Sequence, residues 1–190
     1  MIASISTAFH CPFEGRTPLG RVLWIVEELA GMGIHQVNLA DTNGAANPLQ
    51  VWQTLTAAKD RFPEIMWSLH LHNTRDMGLA NALAGLQAGI TQFDASLGGI
   101  GGCPFVPGAT GNISTEDLVH MLHEMGIQTG IDLDVLLEEG TKLSGIVGHE
   151  LASQVARAGT SASLHAFDGV KIADSHGVHT VERDIYEQGI

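Results

Sequence analysis

An alternation of short apolar segments and amphipathic helical segments limits the fold of this chain more than any other feature. The strand-like segments are runs of four to eight apolar or β-branched residues bounded by polar turns, and the helical segments repeat apolar residues every three or four positions. Because strands that alternate with helices join into parallel sheets through right-handed crossovers, the pattern predicts an α/β fold. The predicted strands are residues 2–8, 36–40, 65–71 and 91–95, and the predicted helices that alternate with them are residues 18–33, 48–62, 78–88 and 114–124.

Helix starts are marked by capping residues. Thr17 and Asn47 are suitable N-caps, and each is followed by a proline, which is favoured at the first position of a helix. Beyond the fourth helix, a longer helix is expected over residues 133–158, with a possible break near Gly140 or Gly148. We therefore expect one α/β unit over residues 1–158 with helices at its carboxyl end, and a tail over residues 159–190 without a clear pattern.

Composition excludes several classes of function. The net charge of −12 argues against a nucleic-acid-binding protein, which needs clustered Lys and Arg, although it leaves an anionic small substrate possible. No apolar run approaches the roughly 20 residues that span a bilayer, and the amino terminus lacks the pattern of a signal peptide. The only two cysteines, Cys11 and Cys103, do not make a disulfide framework, so we expect a cytoplasmic protein.

Two histidines mark the most informative local motif. His70 and His72 end the third predicted strand, and residues two apart on a strand point to the same side. Both imidazoles therefore project from one face, where a divalent metal can bridge them. The alternative is a pair of surface histidines on a half-buried strand. The carboxyl-terminal position favours a site, because parallel α/β folds place their reactive groups there.

The glycine-rich segment after the fourth strand, residues 96–112, is too irregular for a helix or strand and long enough to be functional. Within it, Cys103 can act as a mobile acid or nucleophile, or simply pack in the loop. Asn112 can offer an amide oxygen to a metal, or cap the helix that starts nearby. Cys11, by contrast, is interpreted as a packing residue.

Three carboxylates are further candidates. Asp41 follows the second strand and can be a base or a supporting carboxylate, or an ordinary turn residue. Glu14 follows the first strand and can orient ligands. Glu116 can do the same, although it also suits the first turn of a helix, where a negative charge favours the helix dipole.

Together these residues resemble the hydroxymethylglutaryl-CoA (HMG-CoA) lyase family, within a group of metal-dependent aldolase-like barrels. The glycine-rich cysteine loop is the most specific of the matching motifs, and the His-x-His strand is shared across the group. The matching segments are HCPFEG at residues 10–15, LADTNG at 39–44, HLHNT at 70–74, GGIGGCPF at 98–105, GATGN at 108–112 and EDLV at 116–119.

The resemblance implies a Mg²⁺- or Mn²⁺-assisted cleavage of a 3-hydroxyacyl-CoA such as HMG-CoA into acetyl-CoA and a keto acid. It implies that His70, His72 and Asn112 are metal ligands and that Cys103 is the catalytic thiol. Supporting polar groups would be Asp41, Glu14 and Glu116. The alternatives are a related acyl-CoA synthase or carboxyltransferase, and a non-catalytic metal-binding fragment.

The family fold is a (β/α)₈ barrel, and the strand-helix units of this chain resemble its second half. The Arg-Asp pair of the family's first strand has no equivalent here, and Asn73 stands where many relatives have Asp. A sheet of four parallel strands also leaves two unpaired edges. We therefore expect a partner, either an amino-terminal half-barrel or a second copy in a homo-oligomer, and expect the chain to be inactive alone.

Overall fold

The structure, a computed structural model, describes residues 1–102, 105–106, 108–163, 170–174 and 177–181. The chain divides into two units, Met1–Ala158 and Gly159–Ile190. In the first unit the elements are, in chain order, β1 (Ala3–Ile5), β2 (His10–Cys11), β3 (Gly15–Arg16), α1 (Leu19–Gly31), β4 (Gln36–Asp41), α2 (Pro48–Arg61), β5 (Met66–Leu71), α3 (Gly78–Gln87), β6 (Phe93–Asp94), a 3₁₀ turn (Leu97–Gly99), α4 (Thr115–Glu124), α5 (Leu133–Val147) and α6 (Gln154–Ala158).

Four strands of the first unit form one parallel sheet in the order β1-β4-β5-β6. Strands that are consecutive in this sheet are neighbours in space and are connected by α1, α2 and α3, so the predicted α/β fold is confirmed. The short strands β2 and β3 pair with each other as a separate antiparallel hairpin after β1. All carboxyl ends of the sheet strands therefore lie along one rim.

The two faces of this sheet differ sharply in polarity. One face carries fully buried Val37, Leu39, Leu69 and Leu71, which belong to the same apolar cluster as side chains of α1, α2 and α3. Burying one such side chain contributes roughly 1.5–3 kcal/mol, so this face stabilises the unit. Residues at the alternate positions occupy the other face and include Ser4, Asn38, Ala40, Ser68, His70 and Asp94.

Of the two predicted N-caps, Asn47 is confirmed and Thr17 is not. Asn47 caps α2 by accepting a hydrogen bond from the Gln50 amide, and Ser114 caps α4 in the same way. The prediction for α1 was wrong by one residue, because Pro18 itself stands at the N-cap position in extended conformation. The hydroxyl of Thr17 instead donates a hydrogen bond to the backbone carbonyl of Thr7.

The expected long helix over residues 133–158 is two helices. The first, α5, continues through Gly140 and ends at Gly148, whose φ of 75° is left-handed. The second, α6, covers only five residues and is tied to α4, because the backbone amide of Val155 and the hydroxyl of Ser153 both donate to Asp117. A glycine in left-handed conformation is a common helix stop, which explains the break.

In the second unit, β7 (Val170–Asp174) and β8 (Gly177–Val181) form an antiparallel hairpin. The sequence pattern did not predict these strands. Across the described residues, no helix combines the length and apolar character required to cross a membrane.

Candidate metal centre

The two histidines predicted to share a face do so. His70 ends the polar face of β5 and His72 follows it by two residues, and their Nε2 atoms are 3.3 Å apart. His70 is half-buried, whereas His72 is only 7% exposed. Burial lowers the pKa of His72, and the nearby charge of His70 lowers it further. The lowered pKa favours the neutral ring, which is the form that binds metals.

Asn112 reaches the same place from the glycine-rich segment. It forms an isolated antiparallel bridge with His72, and the amide of Ile113 donates to the carbonyl of Leu71. The side-chain amide nitrogen of Asn112 donates to the carbonyl of Ile100 at 2.8 Å, and its oxygen Oδ1 is buried with no hydrogen-bond partner among the residues that the structure describes. A buried oxygen without a partner is costly unless a ligand satisfies it.

These atoms fit a divalent cation. Two ligands bonded side by side to one ion at about 2.1 Å lie about 3 Å apart, close to the separation of the two Nε2 atoms. Within the described part of the chain, no three His, Cys, Asp or Glu side chains come together as a metal cluster. The amide oxygen of Asn112 therefore stays the predicted third ligand beside the two imidazoles.

A cavity of about 320 Å³ opens in front of the histidines on the polar face of the sheet. Small and polar side chains of the strand ends form one wall, and the glycine-rich segment contributes the other. The lining residues are Ser4, Ser6, Ala40, Thr42, His70, His72, Gly102 and Phe105. The cavity thus connects the candidate ligands with the segment that carries Cys103.

Asp41 lies on the opposite face from the histidines. It follows Ala40 on β4, is fully buried, and accepts hydrogen bonds from the backbone amides of Ala45 and Ala46. Burial raises the pKa of its carboxyl, while those hydrogen bonds and the charges of Arg75 and His10 oppose the rise. The contacts are those of a turn-forming residue, and a role for Asp41 in catalysis stays a prediction.

Glu116 is also fully buried, under the start of the glycine-rich segment. Both of its carboxylate oxygens accept a hydrogen bond from the backbone amide of Gly98, at 2.9 Å each. Burial raises the pKa of this carboxyl, against the effect of the backbone hydrogen bonds. Glu116 therefore anchors the start of the glycine-rich segment through hydrogen bonds to its backbone. This contact agrees with the predicted supporting role, and Glu116 also occupies its predicted position in the first turn of α4.

The remaining predicted residues are less informative. Glu14 is exposed in the turn between β2 and β3, and its site role stays a prediction. Cys11 is a free, half-buried cysteine on β2. Cys103 lies outside the described residues, so its place relative to the histidines stays a prediction as well.

Polar residues on the sheet face that carries the histidines were not predicted from the sequence. Asn38 is buried at 3% exposure, and its amide nitrogen donates to Ser68 Oγ and to Asp94 Oδ2. Asp94 in turn lies 3.5 Å from the Nδ1 atom of His70. The signal was present as polar residues spaced two apart, from Ser4 to Ser6 and from Ser68 to His72.

The chain is similar to known proteins along most of its length. The HMGL-like family matches residues 2–141. The chain is 48% identical to (R)-citramalyl-CoA lyase of Chloroflexus aurantiacus, over 82% of this chain and 49% of that protein. It is 45% identical to the HMG-CoA lyase YngG of Bacillus subtilis, over 80% of this chain and 51% of that protein. The chain thus spans about half the length of the curated relatives it matches.

Solved structures agree with this similarity. An HMG-CoA lyase from Acenitobacter baumannii, in complex with coenzyme A and 3-methylmalate, superposes with a TM-score of 0.83 at 48% identity. The match covers 87% of this chain and 54% of that one. The HMG-CoA lyase of Bacillus subtilis has a TM-score of 0.78 at 44% identity, covering 82% of this chain and 52% of that one. Both neighbours are about twice as long as the matched region.

Proposed function

The chain belongs to the HMGL-like family, and we propose that it forms the metal-binding half of a carbon–carbon lyase that cleaves a 3-hydroxyacyl-CoA. The proposal is carried by one observation: two imidazole nitrogens lie 3.3 Å apart, and Asn112, bridged by its backbone to His72, has a buried amide oxygen with no hydrogen-bond partner among the described residues. His70, His72 and Asn112 would hold Mg²⁺ or Mn²⁺. When bound, such an ion polarises a carbonyl or hydroxyl oxygen of the substrate.

The residues of this chain would then orient the substrate and move protons. Cleavage breaks the bond between carbons 2 and 3 of the acyl chain, while the 3-hydroxyl loses its proton and becomes the carbonyl of the keto acid. Carbon 2 gains a proton and becomes the methyl group of acetyl-CoA. The thiol of Cys103 is the proposed proton donor, and the glycine-rich segment that carries it is held from below by Glu116 through Gly98.

A second substrate is favoured by the relatives. One of them, which is 48% identical to this chain, is named (R)-citramalyl-CoA lyase. Citramalyl-CoA is shorter than HMG-CoA by the methylene group between the hydroxyl-bearing carbon and the distal carboxylate. A pocket discriminates against one methylene by about 10- to 200-fold, so relative kcat/KM for the two thioesters separates the two assignments.

A partner is also part of the proposal. The edge of β6 away from β5 has no neighbouring strand among the described residues. A groove of about 780 Å³ runs beside it and is lined largely by apolar side chains of β6, α4 and the segment that follows α4, including Phe93, Leu118 and Leu122. An amino-terminal half-barrel like the unmatched part of the relatives would pair with β6 and fill this groove. A homo-oligomer is the alternative, and a cytoplasmic location stays a prediction.

The test supplies the missing half. The chain is mixed or co-expressed with the amino-terminal half of the Bacillus subtilis relative, and cleavage of HMG-CoA and of citramalyl-CoA is measured with Mn²⁺ or Mg²⁺ present. Cleavage that appears only in the mixture supports the lyase proposal. Condensation of acyl-CoA without cleavage would instead support a synthase, and metal binding without either reaction would support a non-catalytic fragment.

A further inference from the structure

A polar layer crosses the inner face of the sheet directly below the histidines. Ser4 on β1 is the register partner of Asn38 on β4, and Asn38 is the partner of Ser68 on β5. Two residues further along β5, His70 is the register partner of Asp94 on β6. Four strands therefore contribute one polar residue each to a continuous row that ends beside a candidate metal ligand.

Hydrogen bonds in this row fix the orientation of the Asn38 amide. Its oxygen accepts from Ser4 Oγ at 3.3 Å, and its nitrogen donates to Ser68 Oγ at 2.9 Å and to Asp94 Oδ2 at 3.0 Å. An amide flipped by half a turn would place its oxygen against the carboxylate, which is repulsive. Asn38 is almost fully buried, and its hydrogen bond restrains Asp94 Oδ2, although the Asp94 side chain is itself 57% exposed.

The same oxygen of Asp94 lies 3.5 Å from Nδ1 of His70. A carboxylate beside one ring nitrogen favours a proton on that nitrogen, so the other nitrogen is left with its lone pair free. That other nitrogen, Nε2 of His70, faces His72. In the described part of the chain His72 has no such partner, because its own Nδ1 is buried without a hydrogen bond there.

We propose that Asp94, held by Asn38, is a positioning residue that sets the tautomer of His70 and so turns its Nε2 toward the metal. The role in metal binding rests on the proposed function, whereas the tautomer is a property of the metal-free chain. Partners of this kind are typically worth about 10- to 100-fold in metal affinity. Asp94 does not itself have to touch metal or substrate for this role.

The first test reads the tautomer in the full chain without metal. ¹⁵N-edited NMR of the histidine rings distinguishes a proton on Nδ1 from a proton on Nε2, with His70→Gln used to assign the His70 signals. In the wild type we expect His70 to carry its proton on Nδ1. In Asp94→Ala we expect a mixture of tautomers at His70, and in Asp94→Asn a smaller shift, because the amide oxygen keeps a partial negative charge beside Nδ1 of His70. Asp60→Asn, which removes an exposed carboxylate on α2, is the matched control and should change nothing.

The second test measures Mn²⁺ affinity on the same proteins, with the supplied amino-terminal half. We expect Asp94→Ala to weaken it by about 10- to 100-fold and Asp60→Asn to leave it unchanged. An unaltered His70 tautomer in folded Asp94→Asn and Asp94→Ala would overturn the positioning role. If the wild type binds no Mn²⁺, the proposed function fails, while a tautomer shift in the variants would still support Asp94 as the residue that orients His70.

Discussion

His72 and Asn112 are joined by an antiparallel bridge, although the glycine-rich segment and two other elements separate them in the chain. The bridge brings the backbone of Asn112 next to that of His72, and paired residues of such a bridge point their side chains to the same side. The residue before Asn112 supports the bridge, because the backbone carbonyl of Gly111 accepts a hydrogen bond from the backbone amide of Asn73. The backbone of this segment, and not only its side chains, therefore builds the candidate centre.

Gly111→Ala is expected to disrupt this arrangement. Gly111 has φ of 113°, and an added Cβ would lie 2.2 Å from the carbonyl oxygen of Gly99 and 2.6 Å from that of Gly101. Strain and overpacking together should lower the free energy of unfolding by about 2–4 kcal/mol, as measured by urea denaturation.

The matched control is Gly108→Ala. Gly108 also has a positive φ, of 73°, but an added Cβ would meet no atom of the described residues within 4 Å. This variant should lose only about 1 kcal/mol, from backbone strain alone. Equal losses in the two variants would contradict the claim that close backbone packing at Gly111 matters.

His70→Ala should remove most of the metal affinity. The variant deletes one of two imidazole ligands and leaves His72 without the neighbour that lies 3.3 Å away. We expect the Mn²⁺ affinity measured by calorimetry, with the amino-terminal half supplied, to fall by at least about 100-fold. Loss of a residue that only orients a metal ligand already lowers metal affinity by about 10- to 100-fold, and this variant loses the ligand itself. The exposed His35→Ala is the control, and an unchanged affinity in His70→Ala would refute the ligand assignment.

Cys103→Ala should separate metal binding from turnover. The thiol is not among the proposed ligands, so Mn²⁺ affinity should stay nearly unchanged. Turnover in the complemented enzyme should fall by about 10²- to 10⁴-fold, the range typical of a lost proton donor. Cys11→Ala controls for the loss of a free cysteine elsewhere in the chain, and full turnover in Cys103→Ala would rule out its catalytic role.

Glu116→Gln should change how stability depends on pH. Burial raises the pKa of Glu116 in the folded chain above its ordinary value of 4.5, so folding favours the protonated form. The contribution of this group to stability is therefore full below the unfolded pKa and is lost as pH rises through the folded pKa. Glutamine does not titrate, so the variant should lack this loss.

The measurement is the free energy of unfolding of both proteins by urea denaturation between pH 4 and 8. As pH rises, the free energy of unfolding of the wild type should fall relative to that of Glu116→Gln. Glu64→Gln, at an exposed position, controls for removal of a surface charge. Parallel pH curves for wild type and Glu116→Gln would contradict the effect of burial.

Local features of the sequence predicted much of the fold. The N-cap at Asn47 and the stop at Gly148 act within one helical turn, so they are readable without tertiary contacts. The lengths of the short β-strands were overestimated, because the strand predicted over residues 91–95 covers only Phe93–Asp94. A strand ends where its neighbour stops offering hydrogen bonds, and that limit is not a property of the strand itself. The resemblance to the HMG-CoA lyase family was confirmed, because its motifs are contiguous segments.

The sequence by itself determined the parallel α/β architecture and the shared direction of His70 and His72, because both follow from the fixed periods of strands and helices. Only the tertiary structure decided which distant residues meet that pair. The register between β5 and β6 places Asp94 beside His70, and the path of the glycine-rich segment brings Asn112 to His72. Register and chain path depend on contacts between residues far apart in sequence, and no local pattern encodes them.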